Sequence, residues 1–237
     1  MFFRFVWSII LQDICFRFYI HLRIKGTPFK EIYKKHPKLL LISNHASHLD
    51  ATSIAAAVPR RYWLSLYIAA AKDYFFSNPL FSFFSKHCLG AIPFDRKDRK
   101  GEAVNLTIHL LRTLDRMWLI MFPEGTRSKD GKIHAFKRGV SLFSESTSTP
   151  ILFLYIDGNT RLWPKGKPIP RPGIMTIHVG PVHPPSPIKE VYSAYRAWVT
   201  TINPDAFASD APSVAAVAAA DLSTSRINSE DIDDNDD

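Results

Sequence analysis

The stretch Lys38-Leu39-Leu40-Leu41-Ile42-Ser43-Asn44-His45-Ala46-Ser47-His48-Leu49-Asp50 joins a short apolar run to a polar turn. The run reads as a β-strand, and the turn after it holds polar side chains at the strand's rim, where a substrate can reach them. The same alternation of strand and helix repeats along the chain. Strands are predicted over 38–43, 118–122, 151–156 and 174–179, and helices over 47–58, 78–87, 101–117 and 139–146. The third helix is the clearest: Val104, Ile108, Leu111 and Leu114 recur at helical spacing, with Lys100, Glu102, Arg112 and Asp115 available for the wet face. Strands alternating with helices define an α/β domain, a mostly parallel sheet covered by helices. No internal repeat is visible.

His45 and Asp50 give that first turn its chemistry. Histidine titrates near neutral pH, and a carboxylate beside it can fix its tautomer and stabilise its protonated form. Together they are the minimum needed to take a proton from an alcohol. Two further readings stay open. Ser47 and Asp50 also suit helix capping, and His48 is a second imidazole in the same turn.

A second loop follows the predicted strand before it: Phe122-Pro123-Glu124-Gly125-Thr126-Arg127-Ser128. Ligand loops of α/β domains lie beyond strand carboxyl ends. Glycine permits close backbone approach, arginine offers a planar fork of donors to phosphate, and Glu124 can accept a hydrogen bond from a hydroxyl or hold a cation. Phe136-Lys137-Arg138-Gly139 adds positive charge near the same edge. In Gly90-Ala91-Ile92-Pro93-Phe94-Asp95-Arg96 an arginine stands just past an apolar turn, a further candidate for a phosphate.

The charge balance agrees with an anionic partner. The formal charge of the 237-residue chain is +8, but from Asp205 onward nine acidic residues face one basic residue, Arg226. Residues 1–204 therefore carry 29 basic against 13 acidic residues, or +16. Such a body favours an anionic bilayer or phosphorylated and CoA-like substrates. Without a zinc finger, RNP aromatic motif or basic zipper, nucleic acid is not expected. Two cysteines supply neither a disulfide framework nor a zinc pattern.

Three regions are expected: a helical segment over 1–25, a domain over 26–204 and a disordered acidic tail over 205–237. The first segment is rich in Phe, Trp and Ile, but Arg4, Gln12, Asp13 and Arg17 interrupt it. It therefore lacks the ~20 uninterrupted apolar residues of a spanning helix. It carries no small-residue cleavage signature either. It reads as an interfacial helix or as a helix packed on the core. The proline-rich basic loop 164–172 is a surface connector or a headgroup contact.

In order and spacing, Asn44-His45 with Asp50, Gly90 with Asp95-Arg96, Phe122 to Ser128 and an apolar strand at Pro150 resemble the glycerolipid acyltransferase family. The best-known bacterial members of that family are 1-acylglycerol-3-phosphate acyltransferases. The resemblance covers about residues 38–183. It implies that His45 is the general base toward the acceptor hydroxyl and that Asp50 orients it. It also implies that Arg96 and Arg127 hold the acceptor phosphate, and that Glu124, Gly125 and Thr126 belong to the substrate site. No metal or bound cofactor is implied, since acyl-CoA or acyl-carrier protein arrives as co-substrate. The implied acceptor is a lysophospholipid, 1-acylglycerol-3-phosphate, and the enzyme is expected to work at the cytoplasmic face of a membrane as a peripheral or monotopic protein. Glycerol-3-phosphate or another lysophospholipid as acceptor, and a catalytically silent membrane-binding protein of this fold, are the alternatives. Phe153 stands where the family commonly has a second proline, which is expected to alter the wall of the acyl pocket.

Overall fold

The computed structural model describes residues 2–71, 83, 90–94, 101–164, 167 and 169–209. Seven strands form its sheet: β1 (Ile20–Gly26), β2 (Lys38–Ile42), β3 (Leu66–Ala71), β4 (Ala91–Phe94), β5 (Met117–Met121), β6 (Ile151–Asp157) and β7 (Gly173–His183). Their spatial order is β1-β7-β6-β2-β5-β3-β4. β6, β2, β5, β3 and β4 run parallel, β7 is antiparallel to β6, and β1 is parallel to β7. The α/β architecture with a mostly parallel sheet is the one the alternation predicts.

The central strands are apolar throughout because both of their faces are covered. Leu39, Leu41, Trp118 and Ile120 pack against Phe29, Ile54 and Trp63 on one side. Leu40, Ile42, Leu119 and Met121 meet Leu111, Val140, Phe143 and Tyr195 on the other. The helices Glu102–Thr113, Gly139–Thr147 and Ile188–Thr200 supply that second face. Because β2, β5, β3 and β4 run the same way, their carboxyl ends gather at one edge. The turn after β2 and the loop after β5 meet there.

The N-terminal segment differs from the helical appendage expected over 1–25. A helix, Phe2–Ile9, continues as a wider π-type helix, Ile10–Tyr19, and residues from Ile20 enter the sheet as β1. Leu11, Phe16 and Ile20 are buried in the core, so this segment is packed on the domain. Three of its interrupting polar residues make the attachment. Arg4 donates to the carbonyls of Leu64 and Leu66, Gln12 to that of Val58 at 2.8 Å, and Asp13 pairs with Arg60 at 2.5 Å. At the other end the packed body runs past residue 204. Ile133 exchanges backbone hydrogen bonds with Ala206 and Ala208, both buried.

The tail beyond residue 209, Arg96 and, apart from Phe83, the helix predicted over 78–87 lie outside the described residues. Among the described residues no helix is long and apolar enough to cross a membrane.

Candidate active site

Where β2 ends, a side chain continues its ladder. The Asn44 carboxamide donates to the Ile156 carbonyl at 3.0 Å and accepts from the Ile156 N–H at 2.8 Å. This pairing with β6 fixes the backbone immediately before His45. The chain then turns so that Asp50, the first residue of helix Asp50–Ala57, faces back toward His45.

His45 Nδ1 lies 2.8 Å from Asp50 Oδ2, which also accepts the backbone N–H groups of Ala46 and Ser47 at 2.8 Å each. Asp50 is 0% exposed. A carboxylate with this many donors is an acceptor, so Nδ1 carries the proton and Nε2 is left with a lone pair. The Phe122 ring stacks on the imidazole, with centroids 4.0 Å apart and planes at 14°.

Glu124 acts behind His45 rather than in the cavity. Its two oxygens accept the backbone N–H groups of His45 at 3.0 Å and His134 at 3.2 Å, and it does not line the cavity. The expectation of a direct substrate contact is thereby revised: Glu124 ties the two loops together. Burial pushes its carboxyl up to about 7, against the pull of those two donors. A second tie, Ser128 N–H to the His45 carbonyl at 2.7 Å, brackets the same residue.

His48 and His45 part company here. His48 Nε2 accepts a hydrogen bond from the Arg127 guanidinium, and its ring lies 5.0 Å from that of Trp163. Burial lowers its pKa, and the neighbouring Arg127 and His45 lower it further. The neutral form is the one that can accept from arginine. His48 therefore supports Arg127, while His45 is held by the Asp50 carboxylate.

Both groups open on a cavity of about 500 Å³. Its polar end carries His45, His48, Thr126, Arg127 and Lys137, and its other walls are apolar, including Val104, Leu142 and Phe143. Three alanines of β3, Ala69 to Ala71, leave part of this space free. Gly125 adopts φ +69°, where a Cβ would meet Lys137 Nζ at 2.9 Å, so glycine lets the lysine lie across the loop. Phe153 does not line this cavity. It is buried in β6 against Tyr195 and His183, which corrects its expected place in the pocket wall. Of the expected site residues, His45, Asp50, Glu124, Gly125, Thr126 and Arg127 come together. Trp163 and Asn159, whose carboxamide donates to Asp50 at 2.9 Å, join them from far along the chain with no local sequence signal. Among the described residues no group of His, Cys, Asp and Glu side chains converges as a metal site.

A histidine–carboxylate pair, a cationic rim and an apolar cavity thus meet at the strand carboxyl ends. The Acyltransferase family model matches residues 26–156. The chain belongs to that family. It is 31% identical over 159 residues to a 1-acyl-sn-glycerol-3-phosphate acyltransferase of Limnanthes douglasii, covering 65% of this chain and 54% of that protein. It is 30% identical over 88 residues to the Pseudomonas aeruginosa protein of the same name, covering 35% of this chain and 34% of that protein. The chain thus spans about half or less of these relatives' length. The crystal structure of the 1-acyl-sn-glycerophosphate acyltransferase PlsC from Thermotoga maritima shares the fold. The TM-score is 0.64 at 23% identity, over 82% of this chain and 79% of that one.

Proposed function

We propose that this protein moves a fatty acyl group from acyl-CoA or acyl-carrier protein to the free hydroxyl of 1-acylglycerol-3-phosphate, giving phosphatidic acid. The observation that carries the reading is the 2.8 Å His45–Asp50 pair at the mouth of an apolar cavity with Arg127 and Lys137 on its rim. His45 Nε2 takes the hydroxyl proton as the oxygen attacks the thioester carbonyl. The resulting imidazolium is held by Asp50. The tetrahedral intermediate collapses, the C–S bond breaks, and the proton on His45 passes to the departing thiolate. The ester is formed and the base is regenerated. Arg127, supported by His48, and Lys137 suit the acceptor's phosphate. Arg96 is assigned to the same phosphate from its place in the sequence motif.

The acceptor resides in a bilayer, so the enzyme works at a membrane surface, as a peripheral or monotopic protein on the cytoplasmic face. Arg4, Gln12 and Asp13 of the N-terminal segment reach the domain, while Phe3, Phe5, Ile14, Arg17 and Phe18 remain exposed, Phe18 at 76%. Aromatic side chains left outward in this way suit the headgroup boundary of an anionic leaflet. Ile169 of the proline-rich loop is exposed beside them, since Tyr19 donates to the Pro170 carbonyl at 2.8 Å.

The test is an acylation assay on the purified chain that crosses lysophosphatidic acid, glycerol-3-phosphate and lysophosphatidylethanolamine with acyl-CoA and acyl-carrier-protein donors. Thiol release and the lipid product are both measured. Product from lysophosphatidic acid at the highest kcat/KM is expected. Absence of thioester-dependent product with every pair would overturn the proposal.

A further inference from the structure

We infer that Asn159 is a positioning residue for the acyl transfer, holding the Asp50 carboxylate in the one orientation that serves His45. The inference rests on the His45–Asp50 mechanism proposed above. Asp50 Oδ2 already accepts three donors, from His45, Ala46 and Ser47. Its other oxygen, Oδ1, accepts the Asn159 carboxamide Nδ2 at 2.9 Å. Asp50 and Asn159 are both buried. The amide orientation is fixed by its own neighbours, because Asn159 Oδ1 accepts the Thr160 backbone N–H at 2.9 Å, leaving only the N–H face for the carboxylate.

The turn that delivers Asn159 is built for the purpose. β6 runs parallel to β2 beside it, so the carboxyl end of β6 emerges next to the catalytic turn. Gly158 sits there at φ +86°, where a Cβ would meet the Ile174 carbonyl at 2.7 Å. A larger residue cannot make this close turn into helix Asn159–Leu162 without moving β7. Asn159 does not line the cavity. Its influence passes through Asp50. Without it, one oxygen of a buried carboxylate loses its donor, and the contacts at Oδ2 alone are left to hold the group against Nδ1. The charge that develops on His45 during attack then loses its fixed partner.

Asn159→Ala and Asn159→Asp separate this role from a merely structural one. The titratable groups facing Asp50 are His45 and His48 on its own turn and Glu124 from the loop after β5, with Arg127 behind His48. All of these are present in the parent protein, so its own pH–rate profile is the baseline. The Ala variant is expected to lose on the order of ten- to a hundredfold in kcat, with both KM values within about threefold. In the Asp variant two carboxyls meet where both cannot ionise cheaply, and they share a proton at lower pH. The protonated introduced group donates as the amide does, so activity is retained there. It falls as pH rises and the shared proton leaves, adding a descending limb that the parent protein lacks.

Retention of parental kcat in Asn159→Ala, or a pH profile of Asn159→Asp parallel to the parent's, overturns the inference. If the Ala variant does not fold, the Asp profile decides alone. His45→Ala in the same assay keeps the two ideas apart. Turnover surviving there defeats the acyl-transfer mechanism itself, whatever Asn159 does.

Discussion

Two histidines three residues apart on one turn occupy different electrostatic regions of the cavity. His45 lies over a buried carboxylate with Phe122 on its face, and its backbone is clamped by Glu124 and Ser128. His48 lies against a guanidinium, with its protonation suppressed by burial and by that charge. The first environment pairs the ring with a carboxylate, and the second favours remaining neutral to hold a cation. In the proposed reaction, identical side chains serve the chemistry at one end and anion binding at the other. Asp50 on the same turn, held by Asn159 after β6, sets the first, and Arg127 from the loop after β5 sets the second.

That division is most vulnerable at the carboxylate. Asp50→Asn keeps the shape but removes the negative charge that fixes the His45 tautomer. A fall in kcat of about 10³–10⁴ is expected, with acceptor KM nearly unchanged, in a steady-state acylation assay. Arg127→Ala attacks the other region. Loss of a charge-assisted contact to phosphate should raise the acceptor KM about ten- to a hundredfold, with a smaller change in kcat. A collapse of kcat with unchanged KM would erase the distinction between the two ends.

Glu124→Gln tests the brace shared by both. Its carboxyl is raised by burial from 4.5 to about 7, so the stability it contributes is complete below the ordinary carboxylate range and is lost as pH climbs to about 7. The parent protein should lose up to ~3 kcal/mol from this group across that window. The Gln variant, which cannot ionise, should show a shallower slope in thermal melts between those pH values. Glutamine accepts only one of the two backbone donors, so kcat should also fall by about tenfold.

Much of this was legible in the sequence for a physical reason. Parallel strands buried on both faces must be apolar throughout, and Leu39–Ile42 and Met117–Met121 are such runs. The loops that follow them hold glycine, carboxylate and arginine where a strand edge meets solvent. Less visible were β1 and β3. In β1, Arg23 and Lys25 alternate with apolar residues on an edge strand, and β3 ends in three alanines that pair with β4, while its first half, Leu66 to Ile68, pairs with β5. Local spacing could not separate His48 from His45, because the deciding contacts come from Arg127 and Glu124, 79 residues away. Asn159, 109 residues from Asp50, carries no local signal at all. By contrast, Val191, Tyr192, Tyr195 and Val199 recur at helical spacing, and the helix Ile188–Thr200 could have been read from them.

The most direct measurement is kcat and acceptor KM for His45→Ala and His48→Ala side by side, in a thiol-release assay with lysophosphatidic acid. The account predicts that His45→Ala retains less than about 10⁻³ of the parental kcat in a folded protein. His48→Ala should keep kcat within about twofold while its acceptor KM rises about three- to tenfold. Near-normal turnover in His45→Ala, with the chemistry lost instead in His48→Ala, would contradict it.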